Sequence, residues 1–236
     1  MEIKILYEDE NILGIDKPSG ILVHSDERSK EETIQDLFLK KYPKLELVHR
    51  LDKETSGVLL LAKNQKAHEA LKNQFSAPAL GLKTKSGLAD RQDRVSKIYI
   101  AVVNGWVKKD HDIINEPIGR SPTDFRRRLS GRGARGEMRE AITEYNVLKK
   151  FEDGTGNRFS CLEIKPKTGR THQIRVHMKY INHPIVCDKL YAPKNPCPEF
   201  INRLALHAKS IEFKNLNGEV VKLESPLPKE FSKITF

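Results

Sequence analysis

The sequence predicts an α+β domain built on a largely antiparallel, mixed sheet with flanking helices. Short apolar segments of β type recur along the chain, and two Asn-Gly pairs, at 104–105 and 217–218, are typical of tight hairpins. Few segments have the helical spacing of apolar residues, so strands should outnumber helices. The 236 residues, of which 38 % are hydrophobic, can form one large domain or two small ones.

Strands are predicted where short apolar runs are bounded by turn residues. These runs lie, in chain order, at 3–7, 12–15, 97–103, 141–148, 159–164, 211–213 and 220–223. Asn104-Gly105, followed by Trp106-Val107, predicts that the strand before it turns back in a hairpin, and Asn217-Gly218 predicts the same near the C-terminus. The segment 76–96 mixes Gly, Pro, Ser and both charges, and it is predicted to be a mobile loop.

Three helices are predicted from residues that are suited to cap them. Ser29 and Glu32 match a capping box, which predicts an amphipathic helix over about 30–41. Asn64 is suited to cap a second helix, and Thr171 a third. No internal repeat is visible in the sequence.

The charge of the chain indicates its class of partner. Lys and Arg number 42 against 32 Asp and Glu, a net charge of +10. This excess favours a polyanion, nucleic acid before membrane, although a basic surface that only aids solubility fits the charge equally well. The N-terminus has no secretion signal, and no apolar run is long enough to span a membrane. Three cysteines without a CxxC pair predict free thiols in a reducing cytoplasm.

The stretch from Arg120 to Arg139 concentrates the positive charge. It holds seven arginines and no lysine, with Asp124 and Glu137 as its acids, and three glycines interrupt it. Guanidinium groups interleaved with glycine suit phosphate, because each planar fork can pair with two oxygens. A solvated loop that binds nothing is the alternative. We expect the stretch to be mobile when it is free and to clamp a phosphate backbone on binding.

The polar stretch LVHRLDKETSG, at 47–57, lies between two apolar runs. It is predicted to be a loop that joins two buried strands, which is a common place for catalytic side chains. Asp52 near Arg50 has two interpretations: a catalytic carboxylate, or a structural ion pair in a capped turn. The local sequence alone favours the ion pair.

Several other kinds of chemistry are disfavoured. His172 and His177 are five residues apart, whereas two metal ligands on one helix face are three or four apart, so a metal site is not expected. The chain has no Walker loop, no GxGxxG between a strand and a helix, and no GxSxG around its serines. With these chemistries disfavoured, the sequence favours a site without a cofactor. Such a site would be built on one carboxylate, with arginine and an aromatic side chain.

The sequence resembles the RluA-type pseudouridine synthases in several motifs that occur in the family order. HRLDKETSG resembles the signature HRLDxxTSG, whose aspartate is catalytic in the family. The matching segments are KPSG at 17–20, HRLDKETSG at 49–57, KIYIAVVNG at 97–105, KTGRTHQIRVHM at 167–178, ALHA at 205–208 and ESPLP at 224–228. They extend over about residues 10–230, nearly the whole chain.

The resemblance implies that residues 1–236 form one catalytic domain with the pseudouridine synthase fold, which isomerises uridines of ribosomal or transfer RNA to pseudouridine without cofactor or metal. Asp52 would be the catalytic carboxylate, as a nucleophile at the sugar C1′ or uracil C6, or as a base that removes the C2′ proton. Arg175 would pair with Asp52 and keep it ionised. Tyr99 would stack on the flipped uracil and could take part in proton transfer, and Arg50 would fill the space that the base leaves.

Further RNA contacts are expected from Arg126, Arg127 and Arg128 in the arginine-rich stretch, and from Arg170 and His172 in the arginine motif. RNA is thus the expected partner, without a metal or a membrane, and the chain is expected to act as a monomer in the cytoplasm.

The chain departs from many members of the family, which carry an N-terminal RNA-binding module. Here the motifs begin within the first twenty residues, so no separate module of this kind is expected. An alternative function is an RNA-binding or RNA-folding protein that has lost catalysis on the same scaffold. Because Asp52, Tyr99 and Arg175 are all intact, the sequence favours the enzyme.

Overall fold

The computed structural model describes residues 2–25, 31–76, 83–84, 87–88, 94–232 and 234. The strands are β1 (Ile5–Glu8), β2 (Ile12–Lys17), β3 (Glu46–Leu47), β4 (Ser56–Ala62), β5 (Lys83–Thr84), β6 (Gly87–Leu88), β7 (Ser96–Asn104), β8 (His111–Asn115), β9 (Ile118–Arg120), β10 (Arg128–Ser130), β11 (Arg135–Arg139), β12 (Ile142–Glu152), β13 (Arg158–Pro166), β14 (Leu206–Lys214) and β15 (Val220–Glu224). The helices are α1 (Ile34–Leu39), α2 (Gln65–Ser76), α3 (Gln173–Tyr180) and α4 (Lys229–Ser232). The predicted α+β class with mainly antiparallel strands is confirmed.

The chain packs as two compact units, Met1–Lys97 with Ala208–Pro226, and Ile98–His207 with Leu227–Phe236. In the first unit β2 pairs antiparallel with both β1 and β4, and β3 pairs with β4. β15 pairs antiparallel with β14, which confirms the predicted C-terminal hairpin.

The core of the first unit lies around β4, whose seven residues are all buried. Val58 and Leu60 of this strand belong to one apolar cluster with Leu71 of α2 and Phe213 of β14. Asn64 caps α2 as predicted, since its Oδ1 accepts the backbone N–H of the residue three positions later. Burial of this apolar surface stabilises the strand that follows the central polar loop.

The capping box of the first helix is formed by other residues than predicted. Thr33 is the N-cap of α1: its Oγ1 accepts the N–H of Asp36 at 3.2 Å, and the Asp36 carboxylate accepts the N–H of Thr33 at 3.0 Å. The predicted capping box of Ser29 and Glu32 is therefore wrong. Thr33, which directly precedes the first buried residue of the helix, Ile34, caps the helix. Ser29 itself lies outside the described residues.

In the second unit the strands β7, β13, β12 and β8 pair in that order, all antiparallel. The predicted hairpin at Asn104-Gly105 is wrong, because β7 pairs with β13 and the next strand, β8, pairs with β12. The N–H of Gly105 donates to the carbonyl of Arg158, and Asn104 Nδ2 donates to the carbonyl of Pro184. These long-range bonds fix the end of β7, and they take the place of the local hairpin turn that the sequence predicted.

The third helix also begins differently from the prediction. Its N-cap is His172, in the left-handed conformation with φ of 56°, and not Thr171. The side chain of His172 makes no capping hydrogen bond to the helix. Within α3 the side chains of Ile174, Arg175 and Met178 are buried, so this helix presents a charged group to the interior.

The arginine-rich stretch forms a small sheet, which corrects its interpretation as an irregular loop. β9 pairs antiparallel with β10 on one side and with β11 on the other. Beneath this sheet Ile118 packs with Ala141, Val176 of α3 and Tyr191 in a separate buried cluster. Apolar packing therefore holds the stretch against the helix that carries Arg175.

The cysteines also differ from the prediction of free thiols. Cys187 and Cys197 form a disulfide across ten residues, with their Cα atoms 5.3 Å apart. Cys161 is free and buried, and burial raises the pKa of its thiol to about 12. Two residues that are ten positions apart come together through the turns between them, which the spacing of cysteines alone does not reveal.

Two further expectations concern loops and membranes. Most of the segment 76–96, predicted to be a mobile loop, lies outside the described residues; β5 and β6 form a short antiparallel pair within it. No helix in the described part of the chain is both long and apolar enough to cross a membrane.

A glycine at the start of β4 gives a test of the first unit. Gly57 has φ of 110°, and a Cβ there would collide with the backbone carbonyl of Ala208. Gly57→Ala should lower the free energy of unfolding by more than about 2 kcal/mol, because left-handed strain alone costs roughly 1–2 kcal/mol. Gly156→Ala is the matched control: its φ is 81°, and a Cβ there meets open space. Equal losses for both variants in urea unfolding would contradict the collision.

Candidate active site

The central polar stretch forms a loop with a tight turn between β3 and β4, as predicted, but only β4 is the buried strand that was expected, since both residues of β3 are half-buried. The N–H of Thr55 donates to the carbonyl of Asp52 at 3.1 Å, which closes the turn. The side chain of Asp52 is half-buried, whereas Thr55 is almost completely buried. A half-buried carboxylate on a turn that leads into a buried strand is held in place yet remains accessible to a ligand.

The turn is fixed by Lys17, whose side chain is completely buried. Its Nζ donates to the carbonyls of Pro18 at 2.8 Å, Lys53 at 3.0 Å and Thr55 at 2.8 Å. These bonds use all three donors of an ammonium group. The KPSG turn thus holds both ends of the segment that follows Asp52.

Two more bonds connect the KPSG turn to this segment. Ser19 Oγ donates to the carbonyl of Glu54 at 2.6 Å, and the N–H of Gly20 donates to the carbonyl of Lys53 at 2.8 Å. Each of the three carbonyls from 53 to 55 therefore accepts at least one hydrogen bond. The backbone next to Asp52 is held as a rigid unit.

The two residues before Leu51 in the motif have different environments. His49 Nε2 accepts the N–H of Leu60 at 2.9 Å, and its ring stacks on Phe75 with centroids 4.5 Å apart. Burial lowers the pKa of His49 to about 3, so this histidine is neutral at physiological pH and serves the structure of the loop. Arg50 is exposed, with Nη1 3.4 Å from His24 Nε2.

Arg175 is held by an acid that the sequence did not reveal. Its Nε and Nη2 donate to the two carboxylate oxygens of Asp188, both at 2.8 Å, and the two side chains are 7 % and 0 % exposed. Asp188 Oδ1 also accepts the N–H groups of Leu190 and Tyr191. This network fixes the plane of the guanidinium.

Tyr191 connects Arg175 to the arginine-rich sheet. Its ring lies 5.1 Å from the guanidinium carbon of Arg175 and 5.4 Å from that of Arg127, both in cation–π range. Its hydroxyl accepts the backbone N–H of Arg128 at 2.9 Å and hydrogen-bonds His172 Nδ1 at 2.9 Å. His172, predicted to contact RNA, therefore has a defined partner inside the second unit.

The three consecutive arginines predicted to contact RNA are not equivalent. Arg126 pairs with Asp124 through Nε and Nη2, and hydrogen bonding from Arg126 lowers the pKa of Asp124 to about 2. Arg127 is half-buried against Tyr191, and Arg128 Nη1 donates to two backbone carbonyls. Of the three, Arg126 is the most exposed and is already paired with an acid.

Two other predicted residues lie on the same unit as Arg175. Tyr99 is on β7 opposite Ile164, half-buried, and packs against the core of the second unit. Arg170 is exposed, and its Nε donates to the carbonyl of Glu140 at 2.9 Å. Asp52 belongs to the first unit, and its predicted pairing with Arg175 stays a prediction.

In the part of the chain that the structure describes, no group of three or more His, Cys, Asp or Glu could hold a metal ion.

Comparison with known proteins identifies the family. The profile of the family described as RNA pseudouridylate synthase matches residues 11–180. The chain is 35 % identical over 244 residues to an uncharacterized RNA pseudouridine synthase, YlyB, of Bacillus subtilis, covering 99 % of this chain and 72 % of that protein. The chain belongs to the RNA pseudouridylate synthase family. The predicted family and enzyme class, a pseudouridine synthase, are thereby confirmed.

Another relative and a solved structure support the same family. The ribosomal large subunit pseudouridine synthase D of Pseudomonas aeruginosa is 35 % identical, with 98 % of this chain and 70 % of that protein covered. The solved structure of human RNA pseudouridylate synthase domain containing 1 is 26 % identical, with a TM-score of 0.75, and covers 98 % of this chain and 86 % of that chain. The likeness to this structure supports the predicted fold.

Sequence reasoning missed Lys17, Asp188 and Tyr191. For Lys17 and Asp188 a signal was present: each follows an apolar run that reads as a buried strand, so each predicts a buried charge that needs partners. For Tyr191 we find no comparable signal, because its partners lie at distant positions of the chain.

Removal of the Lys17 ammonium tests whether it holds the turn. Lys17→Met keeps the length of the side chain but leaves buried carbonyls without their donor, and it should lower the free energy of unfolding by about 2–4 kcal/mol. Lys53→Met is the matched control, since Lys53 in the same turn forms an exposed pair with Glu31, and such pairs contribute little. Chemical denaturation would measure both, and similar small losses would contradict the role of Lys17.

Proposed function

We propose that the chain isomerises uridine to pseudouridine in ribosomal RNA, with Asp52 as the catalytic carboxylate. In this reaction the glycosidic bond from N1 to C1′ breaks, a bond from C5 to C1′ forms, C5 loses a proton and N1 gains one. Membership of the family, together with the fixed turn that presents the Asp52 carboxylate, is the observation that supports this function.

Asp52 can serve the reaction in two ways. As a nucleophile it would attack the sugar C1′ or the uracil C6 and form a covalent intermediate. As a base it would remove the C2′ proton and open a route through a glycal. Both roles need an ionised carboxylate in a fixed position, which the backbone bonds to residues 53–55 support.

The other proposed roles follow from side-chain chemistry. Arg175 would pair with the Asp52 carboxylate and orient it. The bidentate bonds to Asp188 support a fixed orientation for this arginine. Tyr99 would stack on the extruded uracil, and Arg50 would occupy the space that the base leaves in the RNA.

Ribosomal RNA is the proposed substrate because relatives such as those of Pseudomonas aeruginosa and Vibrio parahaemolyticus are named ribosomal large subunit pseudouridine synthases. Transfer RNA is the other candidate. Arg126, Arg127, Arg128, Arg170 and His172 are proposed to contribute to RNA binding. A positively charged surface of this kind binds the RNA backbone largely without regard to sequence.

Asp52→Asn should abolish pseudouridine formation while RNA affinity changes little, because the proposed binding charge lies on other residues. The measurement is tritium release from 5-tritiated uridine in a transcript of large-subunit ribosomal RNA, with affinity measured by filter binding. Appreciable turnover by the variant would contradict the assignment of Asp52. Full RNA binding without turnover by the unmodified chain on any cellular RNA would favour the alternative, an RNA-binding protein without catalysis.

Arg175→Lys should lower the rate of the chemical step by about 10²-fold although the charge is kept, because an ammonium lacks the planar fork that fixes orientation. Asp188→Asn should lower the same rate by a similar factor, and the double variant should lose little more, since each single change already abolishes the same bidentate pair. Single-turnover kinetics at saturating RNA would measure each rate. Strictly additive losses would show that Asp188 does not act through Arg175.

A further inference from the structure

The register of the arginine-rich sheet places like charges side by side. Arg120 of β9 lies opposite Arg128 of β10 and opposite Arg135 of β11. Directly opposite residues in an antiparallel sheet share a face, with Cβ atoms about 4.5–5.5 Å apart, and like charges there are destabilising. Three guanidinium groups in one row therefore oppose the folding of the sheet unless an anion lies between them.

An open cavity of about 400 Å³ lies on this sheet. Its charged lining consists of Arg120, Arg128, Arg139, Arg170 and Glu137. Four guanidinium groups against one carboxylate leave a formal charge of +3 around the cavity, so the potential there attracts anions.

The hydrogen bonds of these arginines orient them without neutralising most of their charge. Arg128 Nη1 and Arg170 Nε donate to backbone carbonyls, which are neutral acceptors. Arg139 pairs with Glu137, and both of these side chains are largely exposed. Within the described residues, the guanidinium of Arg120 has no hydrogen-bond or ion-pair partner. Arg120, at the centre of the row, is thus the cation with the most unused hydrogen-bonding capacity.

We propose that this cavity is a phosphate site that binds a phosphodiester of the RNA substrate. The inference rests on the proposed function for the identity of the RNA, whereas the anion site itself depends only on the sheet and its arginines. Guanidinium forks pair with two phosphate oxygens at once, and several of them can converge on one tetrahedral anion. Within the stretch that the sequence indicated, the cavity singles out Arg120, Arg128 and Arg139, and Arg120 becomes the central residue.

The first test uses inorganic phosphate and thermal unfolding. In a low-salt buffer without phosphate, Arg120→Gln should raise Tm by about 1–3 °C, because it removes like-charge repulsion across the sheet. Adding phosphate should then raise the Tm of the unmodified chain clearly more than that of the variant. Arg132→Gln is the matched control, since Arg132 lies in the same stretch outside the cavity and the charge change is the same. It should keep the full phosphate response.

The second test uses a twelve-residue oligoadenylate, which contains no uridine. Each lost phosphate contact on a single strand should reduce the slope of log affinity against log salt by about 0.7. Arg120→Gln should show that reduction, and Arg132→Gln should keep the slope of the unmodified chain. A lower Tm for Arg120→Gln together with an undiminished phosphate response, or equal slopes for all three proteins, would overturn the site.

The two proposals fail in different experiments. Oligoadenylate and inorganic phosphate cannot be isomerised, so their binding does not depend on catalysis. An absence of pseudouridine formation in ribosomal RNA would contradict the proposed function and leave the anion site intact. Normal turnover of ribosomal RNA without a response of Tm to phosphate would contradict the anion site and leave the proposed function intact.

Discussion

The buried pair of Arg175 and Asp188 is the interaction on which the second unit most depends. Both side chains are removed from water, and several kcal/mol of desolvation per ion must be offset by their bonds. Two guanidinium donors and two backbone N–H groups converge on one carboxylate. Loss of either partner would leave an uncompensated buried charge, which costs roughly 3–5 kcal/mol.

The turn from Asp188 to Tyr191 connects this pair to the arginine-rich sheet. Because Asp188 Oδ1 accepts the N–H of Tyr191, the carboxylate that holds Arg175 also positions the tyrosine. The Tyr191 hydroxyl in turn accepts the N–H of Arg128, the first residue of β10. One turn therefore joins a buried guanidinium to the register of a surface sheet, and a disturbance at either end has a short path to the other.

The first unit also buries a charged side chain. Lys17 is completely buried, and its ammonium donates to three backbone carbonyls. These bonds bring the main chain of three separate residues to one point. The buried charge of Lys17 thus organises the backbone next to Asp52.

Short sequence patterns correctly predicted the helix cap and the hairpin whose hydrogen bonds join nearby residues. The cap at Asn64 and the hairpin at Asn217-Gly218 were correct because their hydrogen bonds join residues a few positions apart. The hairpin at Asn104 was wrong because bonds to Pro184 and Arg158 decide that turn. Short-range patterns carry no information on such distant partners.

In the candidate site, too, the sequence predicted the local feature but not the long-range contacts that support it. The motif placed Asp52 on a turn between strands, as the structure has it. The bonds that fix this turn join Lys17 to residues 36 and 38 positions away, and Tyr191 bonds Arg128 across 63 positions. A single sequence gives residue types but not these distances, so the supporting residues became recognisable only with the structure.

The carbonyl bonds to residues 53–55 have a consequence for how the motif can vary. The family signature HRLDxxTSG leaves open two positions, occupied here by Lys53 and Glu54, whose carbonyl oxygens accept the bonds from Lys17, Ser19 and the chain that follows. Their side chains take no part in those bonds, and that of Glu54 is exposed. The turn therefore depends on main-chain atoms that every amino acid supplies. A change of side chain at either position leaves these acceptors in place, so the backbone next to Asp52 tolerates a change of charge there.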